Sequence, residues 1–273
     1  MYDTNYKLMM YLISAILVLL IIRRILIYFL NKKDLEIAKE IVIGKEEIQE
    51  DHLCIVRKEY GTLAILGDGF GKNGAGRVSS NVAVNFIARM FEREDSTEKI
   101  AYFFKKAFMK ANHEVIERIE KDKGGTSVTA AFIKNNLLHY ALVGDVMLAI
   151  YRKGELVRIS EGHNISEVAK NEYYKGNINR NEAVVTLKKE KLLHYIGEGA
   201  LDNIEMSDMP IRLCKGDIVI LMNRGIYESI RWVTLEEILK DKSKDLNRKC
   251  EIIAEELDGE RNGSIILMKY CSK

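Results

Sequence analysis

The sequence predicts an α+β fold: two antiparallel β-sheets packed face to face, flanked by helices, after one apolar N-terminal helix. Three observations carry this. Short apolar runs joined by tight turns recur at 52–58, 62–68, 128–133, 137–143, 147–151 and 155–159. Helical patterns stand in pairs between them, at 82–91 and 100–121, and again at 235–240 and 247–257. A final strand-like run, 264–270, closes the chain. With 273 residues, 47% of them hydrophobic, and one proline (Pro210), the chain is neither disordered nor linker-rich. A net charge of +2 gives no reason to expect nucleic acid as a partner. Cys54, Cys214, Cys250 and Cys271 are widely spaced and form no C-x-x-C pair, which reads as reduced thiols rather than disulfides or a zinc site.

Taken in order, residues 1–7 form a short tail. Residues 8–22 carry no charge; Arg23 and Arg24 interrupt, and apolar residues resume to Leu30. If the arginines snorkel, 8–30 is read as a transmembrane helix, and the basic excess on its C-terminal side would place the large domain in the cytoplasm. Residues 31–43 are read as a juxtamembrane linker or helix, and 44–273 as the folded domain. Within it, 52–58 and 62–68 pair across a turn at 59–61. Asp95 and Glu98 have the spacing of a capping box ahead of the long helix with Phe103, Phe104, Ala107, Phe108 and Ala111 on one face. The segment 161–180 shows little periodicity. Trp232 is expected to pack, and His163 to play a structural part.

The chemistry centres on Gly67-Asp68-Gly69-Phe70-Gly71, an acidic residue at the end of a buried strand beside permissive glycines. Gly69, Gly71 and Gly74 also match the dinucleotide pattern G-x-G-x-x-G. That pattern needs a parallel strand after the helix, ending in an acid. A polar loop and another helix follow instead, so the dinucleotide reading fails. No H-E-x-x-H or G-x-S-x-G pattern is present; Ser79, Ser80 and Ser127 lack the setting of a hydrolase nucleophile.

Seven short motifs then fall in one order. They are Gln49-Glu50-Asp51, Gly67-Asp68-Gly69, Gly124-Gly125-Thr126-Ser127, Val143-Gly144-Asp145 with Arg152 and Gly154, Ile159 to His163-Asn164, Lys215-Gly216-Asp217 to Asn223, and Asn262-Gly263-Ser264. Together they resemble the metal-dependent PPM-type, or 2C-type, serine/threonine protein phosphatases over about residues 44–271. The resemblance implies an α-β-β-α sandwich and a site where Mn or Mg ions, held by carboxylates, activate water for attack on a phosphoester. Carried over, Asp51, Asp68 and the Gly69 carbonyl keep their places. The other two carboxylate positions fall on Arg224 and Arg261, and the phosphate-binding arginine position falls on Glu46. Asp258, Glu260 and Glu228 lie near, but none restores the spacing.

Two carboxylates replaced by two permanent cations take four side chains from about −4 to about 0 in formal charge. This departure predicts a metal-free site, with no cofactor, in which Arg224 and Arg261 pair with Asp51 and Asp68. The chain is then expected to be a catalytically inactive, membrane-anchored pseudophosphatase that binds a protein partner, phosphorylated or not. The alternative is an active Mn- or Mg-dependent phosphatase with an atypical site, and a second alternative is a scaffold in a membrane assembly.

Overall fold

The structure is a computed structural model that describes residues 2–30, 34–45, 48–94, 99–119, 123–187 and 191–272. It divides into two compact units, Met1–Asp34 and Leu35–Lys273.

The first unit is one helix, α1 (Tyr2–Leu30). Among the described residues no helix is long and apolar enough to cross a membrane. This corrects the expected transmembrane helix at 8–30 and the membrane localisation built on it. The uncharged run 8–22 covers fifteen residues before Arg23 and Arg24. At 1.5 Å per residue that is about 22 Å, short of a hydrocarbon core of about 30 Å.

The second unit opens with a strand where a linker or helix was expected. Strand β1 (Leu35–Val42) pairs antiparallel with the last strand, from Leu35 opposite Tyr270 to Val42 opposite Gly263. Its alternation was masked by Glu36, Lys39 and Glu40, charges that suit an edge strand. Then come β2 (His52–Lys58) and β3 (Gly61–Gly71). Helix α2 (Ala75–Arg93) starts seven residues before the expected 82. Gly74, at φ 79°, turns the chain there, and the small residues that follow give no apolar period to read. Helix α3 (Ile100–Ile119) follows; the capping box expected before it lies outside the described residues. The meander β4 (Gly124–Lys134), β5 (Leu137–Val143), β6 (Met147–Arg152) and β7 (Glu155–Arg158) is as expected.

The unperiodic segment holds one helix, α4 (Ile165–Tyr174), and a second, α5 (Arg180–Leu187), starts at its end. The first is capped: Asn164 Oδ1 accepts from Glu167 N at 2.9 Å. Two-residue strands β8 (Glu205–Met206) and β9 (Ile211–Arg212) precede β10 (Ile218–Met222). Helices α6 (Arg224–Ser229), α7 (Trp232–Lys240) and α8 (Leu246–Glu255) lead to β11 (Gly263–Tyr270). Trp232 is anchored as expected, its Nε1 donating to the Leu156 carbonyl at 2.9 Å.

The strands form two sheets, ordered β1-β11-β10-β6-β7 and β2-β3-β4-β5-β8, with β9 also on β5. Alternate residues of one strand serve different cores, as the pleat requires. Leu63 and Ile65 of β3 pack under α2 and α3. Ala64 and Leu66 face Leu148, Val219, Leu221 and Ile266 of the other sheet. The outer face of that sheet is covered by α6, α7 and α8 through Ile226, Leu235, Leu239 and Ile253. The layers are therefore helix, sheet, sheet, helix.

Phe91 centres the helix-side core, with ring centroids 5.5 Å from Tyr60 and Phe132 and 5.7 Å from Phe103. Phe91→Ala should therefore lower unfolding stability by about 3–5 kcal/mol, read in urea with an unchanged slope.

Candidate active site

The chain turns that carry the acids and the arginines meet at one end of the sandwich. Asp51 lies just before β2, Asp68 near the end of β3, and Asp145 in the β5–β6 turn. Asn223 and Arg224 follow β10, and Arg261 and Asn262 precede β11. All of them line one pocket of about 500 Å³, together with Gly69 and Lys191.

Asp68 is partly exposed on the pocket wall, and its carboxyl is held well above the usual carboxylate range. Loss of solvation is the main cause; the neighbouring charges of Asp51 and Asp145 add to it, as does a hydrogen bond with Asp51, while Arg224 opposes it. Asp51 is fixed from the other sheet: its Oδ2 accepts from Asn223 Nδ2 at 3.0 Å and from Ser264 Oγ at 2.5 Å. Asp145 Oδ1 accepts from Ser127 Oγ at 3.0 Å, and its Oδ2 lies 3.3 Å from Arg224 Nη2. Arg224 Nε also lies 3.2 Å from Glu228 Oε1, and Arg261 Nη1 donates to Glu228 Oε2 at 2.7 Å.

Both arginines thus enter the pocket, as the sequence requires. Their expected partners were Asp51 and Asp68; the structure sets Asp145 beside Arg224 and Glu228 beside both. Glu228 does not restore a metal-ligand spacing, but one helical turn after Arg224 it bridges the two guanidiniums. Asp145 was quoted in a motif without being counted in the site; its place in a V-G-D turn between paired strands was the available signal. Glu46, the expected phosphate-binding position, lies outside the described residues.

Two backbone features hold this geometry. Gly225 packs so closely on the Asn262 carbonyl that a Cβ there would sit 1.9 Å from the oxygen. His163 clamps the Asp145 turn: its backbone N–H donates to the Gly144 carbonyl at 2.6 Å, and its Nδ1 accepts from Gly144 N at 3.2 Å. Burial, followed by the nearby His194, lowers the His163 pKa to about 4.

Comparison with known proteins fits this geometry. A family model for protein phosphatase 2C matches residues 57–171. The structure is similar to the Streptococcus agalactiae serine/threonine phosphatase, with TM-score 0.77 and 21% identity over 87% of this chain and all of that one. This is the PPM-type phosphatase fold. The catalytic domain of the phosphatase PstP, solved in complex with two manganese ions, aligns with TM-score 0.68 and 20% identity over 87% of this chain and 99% of that one. In sequence the chain is 25% identical to the serine/threonine phosphatase stp of Listeria monocytogenes over 224 residues, 78% of this chain and 86% of that protein. The family model and the relatives in sequence are those of PPM-type phosphatases, and the solved structures show that fold.

These relatives are named as phosphatases, and one was solved with manganese. That weighs for the active alternative and against the expected inactive module. The expectation of no metal loses support with it.

Two consequences are measurable. Gly225→Ala should cost about 3 kcal/mol or more in thermal or urea unfolding, because the β10–β11 junction must open to admit the methyl group. The His163 pKa is depressed in the folded state, so its neutral form favours folding above the unfolded value of about 6.5. That stability is lost as pH falls, because the unfolded chain takes up the proton first. Between pH 7 and pH 5 the loss should be about 2 kcal/mol, and His163→Gln should remove most of this pH dependence in urea melts.

Proposed function

We propose that this protein is a phosphatase of phosphoserine and phosphothreonine proteins with an atypical metal site. The observation that carries this reading is the convergence of Asp51, Asp68 and Asp145 in one pocket with Arg224 and Arg261.

The donor set fits one hard cation better than two. Asp51 and Asp68 are within hydrogen-bonding reach of each other in a buried setting, so one of them tends to keep a proton. A divalent ion would relieve the same repulsion. Among the described residues no three His, Cys, Asp or Glu side chains are set to hold an ion. The donors would then be two carboxylates, the Gly69 carbonyl and water, a mixture that suits Mg or Mn. On the Arg224 and Arg261 side two guanidiniums disfavour a second cation. A divalent ion held by Asp51 and Asp68 would supply charge stabilisation and an acidified water.

The chain's own residues provide the rest. Arg224 and Arg261 present N–H donors to the phosphate oxygens, and Lys191 adds a positive charge at the pocket wall. Glu228 holds the two guanidiniums until an anion competes for them. Ser264 and Asn223 keep the Asp51 carboxylate oriented, and Asp145 fixes Arg224.

The arginines also favour a second reading: a regulatory module that holds a phosphorylated protein without hydrolysing it. Calorimetric Mn²⁺ titration of the full chain, with p-nitrophenyl phosphate and phosphopeptide turnover in the same buffer, separates the two. The phosphatase reading expects Mn²⁺ binding and turnover, with Asp68→Asn lowering kcat by about 100-fold or more. Phosphopeptide binding without turnover, unaffected by Asp68→Asn, would establish the regulatory module instead.

A further inference from the structure

The five-stranded sheet has a second end. Strand β6 leaves Asp145 and arrives at Arg152, and β10 runs the other way, from Asp217 to Asn223. Five residues of strand, about 17 Å, separate the aspartate pocket from this far end. There, the β6–β7 turn, the turn entering β10, the end of α7, the α7–α8 loop and the start of α8 enclose a cavity of about 740 Å³.

Its charge is one-sided. Eight of its lining residues are Arg or Lys, and one, Asp217, is acidic. Asp217 is already engaged: it accepts from Arg152 Nε and Nη2, and from Cys214 N at 2.6 Å. Two further lysines have acidic neighbours, Lys244 with Asp241 at 2.9 Å and Lys269 with Glu36 at 3.5 Å. Among the described residues no ion pair engages Lys153, Lys215, Lys240 or Lys242.

An independent observation comes from the wall of the cavity. Lys249 is only 7% exposed. Its Nζ donates to the Leu239 carbonyl, and no other protein acceptor among the described residues takes its remaining protons. An ammonium carries three donors. Burial, and then the charge of Lys269, hold the amine below its ordinary pKa, so an anion placed here would relieve repulsion already present.

We propose that this cavity binds a small polyphosphate anion, of the charge and size of an inorganic triphosphate or the triphosphate of a nucleotide. The volume lies within the range of small-ligand pockets and the wall is concave, which suits a compact ligand better than a protein face. Several lysines converging as separate point charges match the charge density of linked phosphates. The site uses none of the residues of the aspartate pocket and does not depend on phosphatase activity.

The test is calorimetry of the full chain with sodium tripolyphosphate and, separately, ATP, without divalent metal and at low salt. Binding of tripolyphosphate near 1:1 is expected, with ATP comparable, and weakening as salt rises. The double variant Lys215→Gln/Lys242→Gln, both exposed positions, should lose at least tenfold in affinity with an unchanged unfolding midpoint. Arg261→Gln should leave this binding intact. The proposal is overturned by no binding of tripolyphosphate, by binding that survives the lysine changes, or by binding lost in Arg261→Gln. ATP binding without tripolyphosphate binding would also overturn it, since the nucleoside would then be what is recognised. A polyglutamate peptide that outcompetes tripolyphosphate would overturn it in favour of an acidic protein segment.

Discussion

The hydrogen bond from Asn223 to Asp51 joins two parts of the chain 172 residues apart and ties one sheet to the other at the pocket. Asn223 is almost fully buried, and its amide is fully used. Its Nδ2 also donates to the Asn262 carbonyl, and its Oδ1 accepts from Ser264 N and Ile226 N. The last of these bonds caps α6 and so sets where Arg224 begins its helix. Asn262 extends the network, donating to the Ile48 carbonyl and accepting from Gly44 N. Buried polar groups of this kind are costly unless all are satisfied together, so the site end of the sandwich stands or falls as a unit.

The two sheets, the paired helices and the order of motifs were legible because they rest on local signals: apolar period, glycine turns and short acid-glycine strings. What was not legible depended on distant partners. Strand β1 shows itself as a strand only beside β11, since its charges hide the alternation. The start of α2 was hidden because Ser79 and Ser80 bury hydroxyls rather than methyl groups, bonding to the Ala75 and Glu50 carbonyls. At the site, the positions of Asp51, Asp68, Arg224 and Arg261 could be read from the chain. The partners of the arginines could not, because Glu228 reaches Arg261 across 33 residues and Asp145 reaches Arg224 across 79.

Charge arrangement distinguishes the two ends of the five-stranded sheet. At one end, three aspartates are balanced by arginines that are themselves shared with Glu228. At the other, eight basic side chains face one aspartate that is already paired with Arg152. The strands between are apolar and wholly buried, Val219, Leu221 and Ile266 on one face and Ile220 and Leu267 on the other. In such a low-dielectric slab neither end is screened by water passing through it.

The pairing of β1 with β11 also bears on how the chain is made. Strand β11 lies between β1 and β10, so it joins β1 to the rest of its sheet although it follows every other strand of that sheet in the chain. Every strand of the other sheet lies between residues 52 and 212, along with the two helices that cover it. During synthesis that half can assemble while β1 and β10 still lack the strand that joins them. The aspartates on β3 and in the β5–β6 turn can therefore be in place before the arginine segments meet them, and the pocket is complete only once β11 has paired with β1 and β10.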